Sequence, residues 1–100
     1  MPSLSYAALF VLQALAQGHQ FGFDVMDATG LPSGTIYPAL RRLEAQGYVD
    51  SRWEPDESAR RANRPRRRYY ELTKTGRAQL AEAEARYRAV SKLFPRRSRT

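Results

Sequence analysis

Apolar residues recur along the chain in four segments with helical spacing and two with strand spacing. In residues 4–17, Leu4, Ala8, Val11, Leu12 and Leu15 follow a helical period, and Gly18 supplies a stop. Leu9 and Phe10 widen that stripe until the helix is apolar nearly all round, so it must be covered on more than one side. In a chain this short, such a helix points to a second subunit. Residues 21–29 predict a short second helix stopped by Gly30, and Leu31-Pro32 a turn, because a residue before proline is pushed out of the helical region. Ser33 is the candidate N-cap of a third helix running through Gln46 and closed by Gly47. Two helices across a tight turn make the helix-turn-helix outline.

Beyond it the period changes. Residues 48–54 alternate, with Val49 and Trp53 on one face and Asp50 and Arg52 on the other; residues 67–72 form a second, aromatic-rich strand. The twelve residues between are polar and proline-flanked, and read as an irregular loop at the tip of a β-hairpin. Thr73 can cap a last helix over 74–94. Its apolar positions Leu80, Ala83, Tyr87, Val90 and Phe94 are spaced 3, 4, 3 and 4, the seam of a helix that pairs with another helix. Pro95 ends it, and residues 95–100 form a basic tail. The expected architecture is mainly α (α+β): a winged helix-turn-helix over residues 1–72, with residues 73–94 a dimerisation helix of the same domain.

Charge sharpens this picture. Residues 1–59 carry three arginines (Arg41, Arg42, Arg52) against seven acids, a net −4, whereas residues 60–100 carry fourteen basic residues against three acids, a net +11. Such asymmetry suits a polyanion meeting one side of the molecule. On a helical wheel the third helix buries Ile36, Leu40 and Leu43. Its opposite face centres on Gly34, Pro38, Arg41 and Ala45, flanked by Thr35, Tyr37 and Arg42. Gly34 and Pro38 allow close approach of a second surface, Thr35 and Tyr37 can donate hydrogen bonds, and Arg41 can offer two donors to a guanine. Between the strands Arg60, Arg61, Arg64, Arg66, Arg67 and Arg68 put six guanidiniums into nine residues, a composition suited to a minor groove. Arg67 and Arg68 can equally belong to the second strand and pair with Glu54 or Asp50.

Other chemistry is thin. The chain holds no cysteine and a single histidine, His19, which removes thiol nucleophiles and the usual zinc sets, and no cofactor is implied. Asp24 with Asp27, and Glu82 with Glu84, are carboxylate pairs without a base, nucleophile or metal set beside them, so an enzyme is not expected. There is no long apolar run and no leader-like segment, so the expected location is cytoplasmic, with no membrane partner.

Two stretches carry a family likeness. Gly34-Thr-Ile-Tyr-Pro-Ala-Leu-Arg-Arg-Leu-Glu-Ala-Gln-Gly47, followed by Tyr48-Val49, resembles the PadR family of bacterial transcription regulators, as does Arg68-Tyr-Tyr-Glu-Leu-Thr-Lys-Thr-Gly-Arg77; the Phe21-Gly-Phe23 start of the second helix also fits. The resemblance covers roughly residues 4–90. It implies a winged helix, a homodimer and repression, with Ser33, Thr35, Tyr37 and Arg41 at the recognition-helix positions and the helix from Thr73 serving dimerisation in the short C-terminal class. Phe23 stands where members often have tyrosine, and the wing is longer and richer in arginine than is usual. The expected function is a sequence-specific regulator, a repressor acting as a homodimer on an inverted repeat in double-stranded DNA. Leu4, Phe10 and Val11 of the first helix join the seam in the dimer interface, and an interface lined by Tyr87, Phe94 and Phe10 has room for a small aromatic effector. The alternatives are a winged-helix protein-interaction module and a non-specific RNA binder, the latter using Tyr69 and Tyr70 to stack on bases.

Overall fold

The computed structural model describes residues 4–93; Phe94 and the basic tail lie outside them. The chain folds as α1 (Tyr6–Ala16), α2 (Gly22–Thr29), α3 (Ser33–Ala45), β1 (Val49–Trp53), α4 (Asp56–Arg61), β2 (Arg68–Leu72) and α5 (Lys74–Ser91). This is the winged helix expected, with one helix more.

The central element is α1, capped by the Ser5 hydroxyl, which accepts from the Ala8 amide at 3.1 Å. It buries Ala8, Leu9, Val11, Leu12, Ala14 and Leu15 and touches α2, α3, α5 and β2. Much of the cover that its apolar circumference demands therefore comes from its own chain. At the end of α2, Gly30 takes the left-handed conformation (φ 74°) and returns its amide to the Met26 carbonyl, turning the chain towards α3. The N-cap of α3 is Pro32, not Ser33: the Pro32 carbonyl accepts from the amides of Thr35 and Ile36, and Ser33 is the first helical residue. Pro38 lies beyond the amide-free first turn, so its ring removes the amide that would reach the Gly34 carbonyl. Gly34 is exposed, and water can serve that oxygen. Ile36, Ala39, Leu40 and Leu43 face the core.

The hairpin pairs antiparallel from Val49 opposite Leu72 to Trp53 opposite Arg68. Val49, Tyr70 and Leu72 point into the core, and Trp53, on the face of Val49 as expected, is nevertheless 54% exposed. Parity places the two side chains alike; the hairpin simply extends past the helices that bury its base. The expected irregular loop is also corrected. Residues 56–61 form α4, with Pro55 at its N-cap, Asp56 and Glu57 in the first turn and Arg60 and Arg61 in the last. That order of charges complements the helix dipole, and Ala59 is buried beneath it.

The start of α5 is tied to the α3–β1 turn. The Thr73 hydroxyl accepts from the Gly76 amide at 2.9 Å and donates to the Gly47 carbonyl at 2.7 Å. Gly76 is buried so closely on the Tyr48 carbonyl that a Cβ has no space. The heptad seam divides along its length. Leu80 and Ala83 are buried in the core of their own chain, while Tyr87 and Val90 are exposed. Val11 is fully buried and so is removed from the expected intersubunit set, whereas Leu4 is half-buried against the same core. The reason is geometric: the first half of α5 packs on α1, and the second half runs beyond it.

Candidate nucleic-acid interface

The outward face of α3 exposes Ser33, Gly34, Arg41 and Ala45, with Thr35, Tyr37 and Pro38 half-buried. Tyr37 is fixed by packing. Its ring lies against Gly22 at the start of α2, an approach that any larger residue would block. Arg41 is near enough to Tyr70 of β2 to favour its phenolate, although burial dominates and pushes that phenol above its ordinary value. Arg42 diverges from Arg41. It lines a groove of about 440 Å³ with Gln46, Tyr48, Glu82 and Arg86, on the side of α5.

The six wing arginines, equivalent in sequence, are not equivalent in place. Arg64 turns inward and closes a two-toothed ion pair on Glu54, at 2.6 and 2.8 Å. Glu54 is 5% exposed and also accepts from the Arg67 amide and the Tyr69 hydroxyl. The Arg64 hydrogen bond outweighs burial and holds its carboxyl at about 2. Arg66 donates from Nε to the Glu54 carbonyl at 2.8 Å and reaches Asp56 at 3.1 Å. The Arg67 guanidinium carbon lies over the Phe21 ring, 4.0 Å from its centre. Arg68 belongs to β2 and bonds Ser51 and Glu44, the latter a partner that the sequence reading had not considered.

That leaves α4. The Arg60 side chain has no hydrogen bond or ion pair among the described residues, and that of Arg61 holds only an exposed pair with Glu57 one turn back. The wing is a folded clasp organised by Glu54, presenting two arginines from a short helix. Reading residues 55–66 as loop concealed it, although the proline–acid–acid opening and the Arg-Arg close were its signal.

Among the described residues no group of side chains could hold a metal ion, and no helix is long and apolar enough to cross a membrane. The family model described as "Transcriptional regulator PadR-like family" matches residues 11–82, from the second half of α1 through the first half of α5. The chain belongs to the PadR-like family of transcriptional regulators. Family members are DNA-binding transcription regulators and not enzymes. Solved structures share the fold. A PadR family transcription regulator from Clostridium difficile is 24% identical, with a TM-score of 0.80 over 90% of this chain and 95% of that one. A transcriptional regulator from Clostridium thermocellum is 23% identical, with a TM-score of 0.72 over 89% and 86%. Bordetella bronchiseptica BpsR, whose DNA binding is regulated by 6-hydroxynicotinic acid, is 25% identical, with a TM-score of 0.73 over 92% of this chain and 67% of that one. Among curated proteins no sequence match is found.

Proposed function

We propose that this PadR-like protein is a cytoplasmic, sequence-specific repressor that binds an inverted repeat as a homodimer. In this reading α3 enters the major groove through Ser33, Gly34, Thr35, Tyr37, Pro38 and Arg41, while Arg42, Arg60 and Arg61 neutralise phosphates. Arg64, Arg66, Arg67 and Arg68 hold the wing in shape. The observation that carries the reading is the division of labour among the arginines. Those on α3 and α4 lack the buried carboxylate partner that Arg64 has, and an outward guanidinium is what a phosphate needs.

Dimerisation is assigned to the exposed apolar line formed by Tyr6 and Phe10 of α1 with Tyr87 and Val90 of α5. Tyr6, Phe10 and Tyr87 border a groove of about 600 Å³ between the two helices, the place for a second copy and for a small aromatic effector at the interface. A two-fold dimer sets its recognition helices about 34 Å apart, one turn of DNA. Selection of bound sequences from random duplex DNA tests this directly. The expected winner is palindromic, with half-sites one turn apart. Recovery of unrelated sequences, or of a single half-site bound by monomer, refutes it.

A further inference from the structure

The wing outruns the helices beneath it. Beyond the pair of Ser51 with Tyr70 the hairpin leaves the core, yet α4 and its outward arginines ride on the far end. A two-stranded ribbon alone is too pliant to fix their place against α3. A chain of side-chain contacts spans the gap. Glu44, near the end of α3, accepts from the Ser51 hydroxyl of β1 and, at 3.3 Å, from Nη2 of Arg68 in β2. Among the described residues, Glu44 makes every side-chain hydrogen bond from α3 to the hairpin. Arg68 also donates to the Ser51 hydroxyl, from Nε at 3.0 Å and from Nη2 at 2.8 Å. Its guanidinium carbon and that of Arg66 each lie over the Trp53 ring, 5.6 Å from the centre. Arg66 in turn bonds the Glu54 carbonyl at 2.8 Å and Asp56 at 3.1 Å, where α4 begins. The path from α3 to α4 is unbroken. It also gives the exposed Trp53 a task, since its ring joins the two guanidiniums.

We infer that Glu44 and Trp53 are positioning residues: through Ser51, Arg68 and Arg66 they hold α4 at a set angle to α3, so that Arg60 and Arg61 meet the duplex that α3 reads. Partly exposed ion pairs such as Glu44 with Arg68 and Asp56 with Arg66 add little to stability one by one. Linked in series, they supply orientation. Two contact surfaces held in register engage a rigid partner together, whereas on a loose joint the second contact loses much of its advantage. The strut is a property of the free chain; its effect on binding rests on the DNA reading above. Its sign is distinctive. A carboxylate beside a DNA-binding face repels phosphate, so if charge were its whole role, Glu44→Gln would tighten binding and free Arg68 to help. If Glu44 positions the wing, the same change weakens binding.

Two measurements separate the strut from its effect. The chain has no cysteine, so Ser33→Cys on α3 and Ser58→Cys on α4, both at exposed positions, take a single pair of spin labels. Pulsed double electron–electron resonance on the free full chain, diluted with unlabelled chain, is expected to give one narrow distance. Glu44→Gln and Trp53→Ala are each expected to broaden it with the fold retained by circular dichroism, and Trp53→Phe, which keeps a ring for Arg66 and Arg68, to restore it. The second measurement is the salt dependence of binding to unrelated duplex, with and without Arg60 and Arg61 replaced by alanine. Those arginines are expected to contribute about 3.6 to the slope in the native chain and less than about half of that in Glu44→Gln or Trp53→Ala. Glu44→Gln is expected to bind about tenfold more weakly than the native chain at equal salt. Distances as narrow in both variants as in the native chain overturn the inference. So does an arginine contribution left whole, which makes the contacts merely structural, and so does tighter binding by Glu44→Gln, which makes the carboxylate a repelling charge. Broadening in a protein that binds no duplex upholds the strut and removes the DNA reading.

Discussion

Replacing Arg60 and Arg61 together with alanine removes the two guanidiniums that the wing turns outward and leaves its clasp intact. Neither contributes to the Glu54 cluster, and alanine is the better helix former, so α4 and the hairpin beneath it persist. The pair between Arg61 and Glu57 is exposed on both sides and is no obstacle to Arg61 reaching a phosphate. Each phosphate contact contributes about 0.9 to the slope of log affinity against log salt. Two contacts per protomer make four in a dimer, so the double variant is expected to flatten the slope by about 3.6. Over a fourfold rise in salt, from about 50 to about 200 mM, the native protein then loses about 150-fold more affinity than the variant does. Fluorescence anisotropy with labelled operator and with unrelated duplex at several salt concentrations measures both slopes, and the loss is expected on both DNAs alike. Arg64→Gln is the control, expected to lower the melting temperature with the slope unchanged. A double variant with the native slope, or an Arg64→Gln that flattens it equally, refutes the division between outward and inward arginines.

Arg41→Ala is expected to weaken operator binding by about 1–3 kcal/mol while leaving unrelated duplex nearly unaffected, measured in the same assay. Val90→Asp, on the exposed half of α5, is expected to give a folded monomer in light scattering. Val11→Asp, which buries an unpaired charge in the protomer core, is expected to unfold the chain. Gly76→Ala drives a methyl group into the Tyr48 carbonyl and is expected to cost about 3 kcal/mol in urea unfolding, since backbone cannot step aside as a side chain can. The Glu54 carboxyl is lowered from 4.5 to about 2 in the folded chain, so its contribution to stability is complete above about 4.5 and declines as pH falls towards 2. Glu54→Gln is expected to be less stable at neutral pH and to flatten that acid limb of the melting curve; a limb as steep as the native one contradicts the assignment.

Much of the fold was legible because its signals are local. The spacing of Leu12 and Leu15, of Ile36, Leu40 and Leu43, and of Val49 against its neighbours depends only on the period of helix or strand. Gly30 and Thr73 act within a turn of their own position, and both do what the sequence implies. The family motifs fall on these same segments. Two misreadings had the same origin. Leu80 and Ala83 follow the same seam as Tyr87 and Val90, but α1 covers only the first pair. Residues 56–61 are too few and too polar to show a helical stripe, with Ala59 their one buried residue.

The candidate site divides in the same way. Composition established that the second half of the chain is strongly basic, and helical spacing that the face of α3 opposite its apolar stripe carries Arg41. Which guanidiniums remain available was decided in three dimensions, by where each carboxylate came to rest. Glu44 reaches Arg68 across 24 positions and Glu54 reaches Arg64 across ten. A charge is a property of a residue, whereas its availability is a property of its surroundings, because an ion pair forms or fails over a few ångströms of space irrespective of separation along the chain. Phe21, Tyr37, Trp53 and Arg67 are scattered over 47 residues and become one surface only when α2, α3 and the hairpin pack together.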